Sequence, residues 1–194
     1  MADSLIEMAL REGRGAIEAV LIPVEEIEVK DSLAEVCRDP GCNNYGASPG
    51  CPPNVEGPPA FRKWLEESNQ AIFIKIEVPM DSLLSFEYRD IMKLLHEVVA
   101  EIEVAAVHSG HSKARGFAGG SCKELFCRTH TDCNVLERQG ECRNPGRSRP
   151  SMSGFGVNVS KLKDVAGWNE NAYIGDNNTL DLPMGAVYGL ILIG

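Results

Sequence analysis

Seven cysteines in a chain of 194 residues fall into two tight groups, and no other feature restricts the fold so severely. The first group is Cys37-x4-Cys42-x8-Cys51, followed at once by Pro52 and Pro53. The second is Cys122-x4-Cys127-x5-Cys133-x8-Cys142. Seven is an odd number, so complete disulfide pairing is impossible. Both groups lie in stretches dense in glycine and proline and poor in helical periodicity, where several thiolates can turn inward toward one point as regular elements do not allow. The loop 37–59 alone carries six prolines and four glycines. Four thiolates within one short segment match a closed tetrahedral zinc site or one [4Fe–4S] cluster.

The spacing leans toward the larger object. Zinc knuckles present Cys-x2-Cys turns, and none occurs here; gaps of 4, 5 and 8 residues suit a cubane wrapped by loop. Charge points the same way. The chain carries 19 Lys and Arg against 28 Asp and Glu, a net −9, yet segment 118–152 holds six basic residues against four acidic ones. Four thiolates around a [4Fe–4S] core carry about −2, which nearby cations and backbone donors stabilise. Arg143, Arg147 and Arg149, just beyond Cys142, are either counter-charge for such a cluster or a set that binds the phosphate or carboxylate of a cofactor. The early trio is one thiolate short of a closed site. Water or substrate, a carboxylate, a cysteine of the late group, or one of His108, His111 and His130 would complete it.

These motifs carry a resemblance. Cys-x4-Cys-Asn-Asn-Tyr-Gly…Cys-Pro-Pro, then Gly-Gly-Ser-Cys with three further cysteines, Cys-Arg-Asn-Pro, Arg-Pro-Ser-Met and Gly-Val-Asn-Val, together resemble an uncharacterised prokaryotic family of predicted metal-binding proteins, across most of residues 36 to 160. The resemblance implies metal binding, with an iron–sulfur cluster as the leading candidate, and brings no established reaction. It places the family's early trio on Cys37, Cys42 and Cys51 and its late quartet on Cys122, Cys127, Cys133 and Cys142. The gaps between Cys122, Cys127 and Cys133 are longer than the compact spacing of that family, and Ser153-Gly154 stands where an acidic residue and alanine are usual.

Around the loops, ordinary patterning predicts an α+β protein, an α/β-like sandwich with a mixed sheet, helices and an attached cysteine-rich lobe. The length fits a single domain over 1–194, with cysteine-rich loops at 37–53 and 118–152. Ser4 and Glu7 have capping-box spacing ahead of a first helix that stops at Gly13. Residues 20–29 are extended, with Pro23 confining the first half to a sheet edge. Pro58 and Pro59 suit a helix start. Residues 71–78 alternate as a strand, and Leu84, Tyr88, Ile91, Leu95, Val98 and Ile102 form the core stripe of a helix over 81–106. A strand over 108–117 would then complete a strand–helix–strand unit. The run Ala186–Ile193, apolar on both faces, belongs at the centre of a sheet.

Exclusions follow. No apolar run approaches the roughly 20 residues of a membrane span. The opening residues lack a secretory pattern, so the expected compartment is the cytoplasm, where thiols stay reduced. The acidic total and the scatter of Trp64, Trp168 and Tyr173 argue against nucleic-acid binding. No internal repeat, nucleotide fingerprint or Ser/His/Asp elbow is present. Three functions stay open: an iron–sulfur protein that moves electrons to a redox partner protein or serves a larger anaerobic redox enzyme; an enzyme with an open coordination position at the early trio; and a zinc-stabilised interaction module. Oligomeric state is not legible in the sequence.

Overall fold

The computed structural model describes residues 2–10, 16–138, 140–168 and 183–194. Its centre is a four-stranded sheet in the order β1-β2-β4-β3, formed by β1 (Ala16–Pro23), β2 (Gln70–Pro79), β3 (Arg115–Ala118) and β4 (Met184–Ile193). Every pairing is antiparallel. The α+β class is as expected, but the sheet is not mixed. The reason is an insertion: β2 and β3 run parallel and are linked through a long helix, yet β4 lies between them and pairs with both. This is a split strand–helix–strand unit, and the split removes the parallel pair that the sequence order predicted.

β2 buries both faces, because each face is covered by a separate apolar layer. Ile72, Ile74 and Ile76 point into one layer with α1 (Ala2–Ala9) and α5 (Tyr88–His108). Ala71 and Phe73 point into the other, with Phe61 of α3 (Gly57–Glu66), Leu162 of α7 (Val159–Val165) and Phe155 of the turn Met152–Phe155. Each large side chain fully withdrawn from water here contributes about 1.5–3 kcal/mol. The second layer is aromatic at its heart: Phe61, Phe117 and Phe155 have ring centroids 4.9, 5.3 and 5.8 Å apart. Lys75, also on this face and 8% exposed, is held by Glu18 at 2.6 Å and Glu77 at 3.4 Å.

Boundaries differ from the sequence expectation where side chains bond to nearby backbone. The predicted helix over 81–106 is two helices, α4 (Met80–Leu84) and α5. Ser85 turns extended between them, donating its hydroxyl to the Ser82 carbonyl at 3.0 Å and accepting from the Glu87 N–H at 3.1 Å. Leu84 is therefore 79% exposed and Tyr88 36% exposed, so neither belongs to the core stripe, whereas Leu95, Val98 and Ile102 are fully buried. α5 runs on to His108, and its last carbonyls are met by the N–H groups of Gly110 and His111, which delays β3 to Arg115. β1 is an edge strand ending at Pro23; beyond it Val24–Glu26 form a helical turn instead of strand. α1 starts at Ala2, ahead of Ser4. The expected stop at Gly13, and Tyr173, lie outside the described residues. No helix among the described residues is long and apolar enough to cross a membrane.

Two close approaches seat the layers. A Cβ on Gly189 would lie 2.5 Å from Val99, so this glycine lets α5 settle onto β4. Gly189→Ala is expected to cost about 1–3 kcal/mol through forced repacking, read as a lowered midpoint in chemical unfolding. At Gly156, φ is +71° and a Cβ would meet the Lys30 carbonyl at 2.3 Å. The Lys30 N–H donates to the Gly156 carbonyl at 2.8 Å, and the Asn158 N–H to Glu28 at 2.9 Å. This joint ties the segment entering the early cysteine loop to the segment leaving the late one.

Candidate metal centre

The early loop leaves α2 (Asp31–Glu35) and folds back on itself. The Cys42 N–H donates to the Cys37 carbonyl at 2.9 Å, Tyr45 to Cys42 at 2.9 Å, and Cys51 to Ser48 at 3.2 Å. Asn54 clamps the loop through its side-chain amide, which donates to the Ser48 carbonyl at 3.0 Å. Cys37, Cys42 and Cys51 thereby line one cavity of about 650 Å³. Cys51 is 7% exposed, Cys37 half-buried and Cys42 exposed. Burial pushes the Cys37 thiol up, and the charges of Cys42 and Cys51 push it further. The Cys37 thiol therefore resists ionisation until a cation joins it.

The late loop starts with α6 (Cys122–Phe126) and continues as a chain of turns: Cys127 to Lys123 at 3.2 Å, His130 to Cys127 at 3.0 Å, Glu137 to Cys133 at 3.0 Å. Cys122, Cys127, Cys133 and Cys142 all line a second, smaller cavity of about 20 Å³. Asn144 grips two of them. Its backbone N–H donates to Cys142 Sγ at 3.4 Å and its side-chain amide to Cys127 Sγ at 3.3 Å. The early loop repeats the device, with the Asn44 N–H 3.5 Å from Cys42 Sγ. Lys123 and Arg143 line this second cavity too; Lys123 also donates to the Cys127 and His130 carbonyls. All seven cysteines are free thiols. Among the described residues, no three Cys, His, Asp or Glu side chains are already drawn in around one ion-sized point.

The two cavities share a wall. Ser121 lines the early cavity and Cys122 the late one; Pro49 lines the late cavity and Cys51 the early one. Between them the buried hydroxyls of Ser121 and Ser48 meet at 3.4 Å, and the Ser151 N–H donates to the Gly50 carbonyl at 3.1 Å. Burial raises the Cys122 thiol, as do the charges of Cys51 and Cys133, while the Ser48 and Ser148 hydroxyls lower it. The charge of Cys51 thus reaches Cys122 across the wall.

The arginines take separate places. Arg143 donates to the Asp132 carbonyl at 2.8 Å beside the late cavity. Arg147 pairs with Glu97 and lies over the Phe126 ring at 4.9 Å. Arg149 pairs with Glu103 and lines another cavity together with Arg115. Both pairs rivet the late loop to α5. His108, His111 and His130 line neither cysteine cavity; His111 Nδ1 meets the Gly194 carbonyl at 3.0 Å.

The fourth histidine, His96 of α5, was not singled out by pattern, and it is the one that supports the site. It is fully buried, its Nδ1 accepts from the Arg149 N–H at 3.0 Å, and its Nε2 stands 2.8 Å from the Gly119 carbonyl. Those partners require the neutral ring protonated on Nε2. Burial, aided by the charge of Arg149, pushes its pKa down to about 4. The one available signal was its position, four residues after Met92 and three before Val99 on the buried face. Asn144 had a signal as well: Cys-Asn-Asn and Cys-Arg-Asn both set an asparagine two residues beyond a cysteine.

The structure thus defines an α+β scaffold that presents two adjoining thiol-lined cavities. The chain belongs to the family described as predicted metal-binding protein (DUF2284), which it matches over residues 20–193. No curated protein and no solved structure matches it.

Proposed function

We propose that the late quartet holds one [4Fe–4S] cluster, that the early trio holds a second metal centre beside it, and that the pair carries electrons to a redox partner protein or a larger anaerobic redox enzyme. The observation that carries this proposal is that Cys122, Cys127, Cys133 and Cys142 all line one small cavity beside the one lined by the trio. The donor set fits the cluster: four thiolates, amide N–H groups aimed at two sulfurs, and the cations Lys123 and Arg143 in the lining. Such a cluster takes up and releases single electrons, at a potential set by hydrogen bonds to its sulfurs and by burial. Asn144 supplies those bonds, Arg143 supplies counter-charge, and the Ser48–Ser121 contact keeps the centres adjacent.

Metal analysis of the anaerobically purified protein tests this. Iron and acid-labile sulfide are expected in equal amounts, and two reduced centres this near each other should show magnetic coupling in their EPR spectra. Zinc without sulfide would instead establish the interaction module and remove the redox function.

A further inference from the structure

The two cavities differ in a way that electron transfer alone does not require. The quartet encloses about 20 Å³, whereas the trio faces about 650 Å³. By the same measure a single water needs roughly 10–15 Å³, while sites for small organic ligands span roughly 300–1,000 Å³. Three cysteines also leave the donor set incomplete, and among the described residues no His, Asp, Glu, Lys or Arg lines this cavity. Its wall is built from two kinds of surface. Val36, Pro52 and Val157 present hydrocarbon, while Ser151, Ser153 and Ser160 present neutral hydroxyls.

From this we infer that the trio cavity is a binding site for an uncharged organic molecule, one that brings a thiol or hydroxyl to the metal and lays a short neutral body along the cavity. The inference rests on the proposed metal centre at Cys37, Cys42 and Cys51. The three sulfurs supply charge of one sign, and the lining has no cation to offset a second anion. A carboxylate or phosphate on the ligand body would be withdrawn from water without a partner, a penalty that a hydroxyl or amide avoids by bonding to the serines. Selection therefore acts on the part of the ligand away from the metal. The donor atom gives affinity, and neutrality of the remainder gives specificity.

Two thiols of similar length separate these parts. 2-Mercaptoethanol and 3-mercaptopropionate offer the same donor, one with a hydroxyl tail and one with a carboxylate tail. Each is titrated, at matched thiolate concentration, into the anaerobic metal-loaded protein, following the EPR spectrum of the reduced trio centre. The neutral thiol is expected to reach half-saturation at a concentration at least about tenfold below that of the acid. Ser160→Lys, which sets a cation at an exposed position of the lining, is expected to narrow or reverse the preference. Equal half-saturation, a preference for the acid in the parent protein, or a spectrum indifferent to both thiols would overturn the inference while leaving the metal centre in place. A total metal content, iron and zinc together, unchanged in the Cys37→Ala/Cys51→Ala double variant would instead show that the trio holds no metal, and both the centre and its ligand would fall together.

Discussion

If the late loop holds the proposed cluster, changing Cys127 to serine is expected to strip it, with at least about tenfold less iron and sulfide retained at the quartet and the visible colour bleached to match. A serine hydroxyl has nearly the size of a thiol, but it does not ionise to a soft anion near neutral pH, so the cavity keeps its shape and loses a donor. Cys127 is a sharp choice because Asn144 already directs an amide at its sulfur. Cys133→Ser should behave alike. Asn144→Ala separates holding from tuning: it keeps all four thiols but deletes the 3.3 Å donor to Cys127, so metal should remain while the reduction potential falls. Full metal retention in both serine variants would remove Cys127 and Cys133 from the ligand set.

The second large effect concerns His96 and acidity. The native ring stays neutral down to about 4, while an unfolded chain protonates it near the ordinary value of 6.5. As pH falls from 6.5 toward 4, the unfolded state takes up a proton that the native state refuses, so stability present above 6.5 is lost through that interval. The loss reaches about 3 kcal/mol at its acid end. His96→Gln lacks the titration. Subtracting its unfolding free energy from the parent's across this pH range should give a difference that shrinks toward acid, with contributions of the metal cancelling; a constant difference would refute the assignment. His96→Ala should be worse at every pH, by about 2–5 kcal/mol, because it leaves a void and strands the Gly119 carbonyl and the Arg149 N–H.

What the sequence disclosed was whatever repeats over short distances. The alternation of β2, the double-sided apolar run of β4 and the spacing of Leu95, Val98 and Ile102 are local patterns with one structural solution, and each is found where expected. The seven thiols were visible because cysteine is chemically distinctive. Long-range partnerships left no such trace. The meeting of Ser48 with Ser121 spans 73 positions, and the Arg149–Glu103 pair spans 46. Arg149 reads in the sequence as counter-charge for a cluster or part of an anion site, because its acid lies on a helix whose face only packing decides. His96 was overlooked for a related reason: a polar residue within an apolar stripe declares its role only when the groups it bonds arrive from other loops. The antiparallel sheet was hidden similarly, since nothing in β2 or β3 announces that a later strand will come between them.

That intervening strand also sets a timetable. β3 has β4 as its sheet partner, and Cys122 follows β3 by four residues. While the ribosome is still adding residues 184–193, the shelf beneath the late cysteines is unbuilt, although all seven thiols have already emerged. The late cysteine loop therefore gains the sheet support of the strand before it only once β4 has been made.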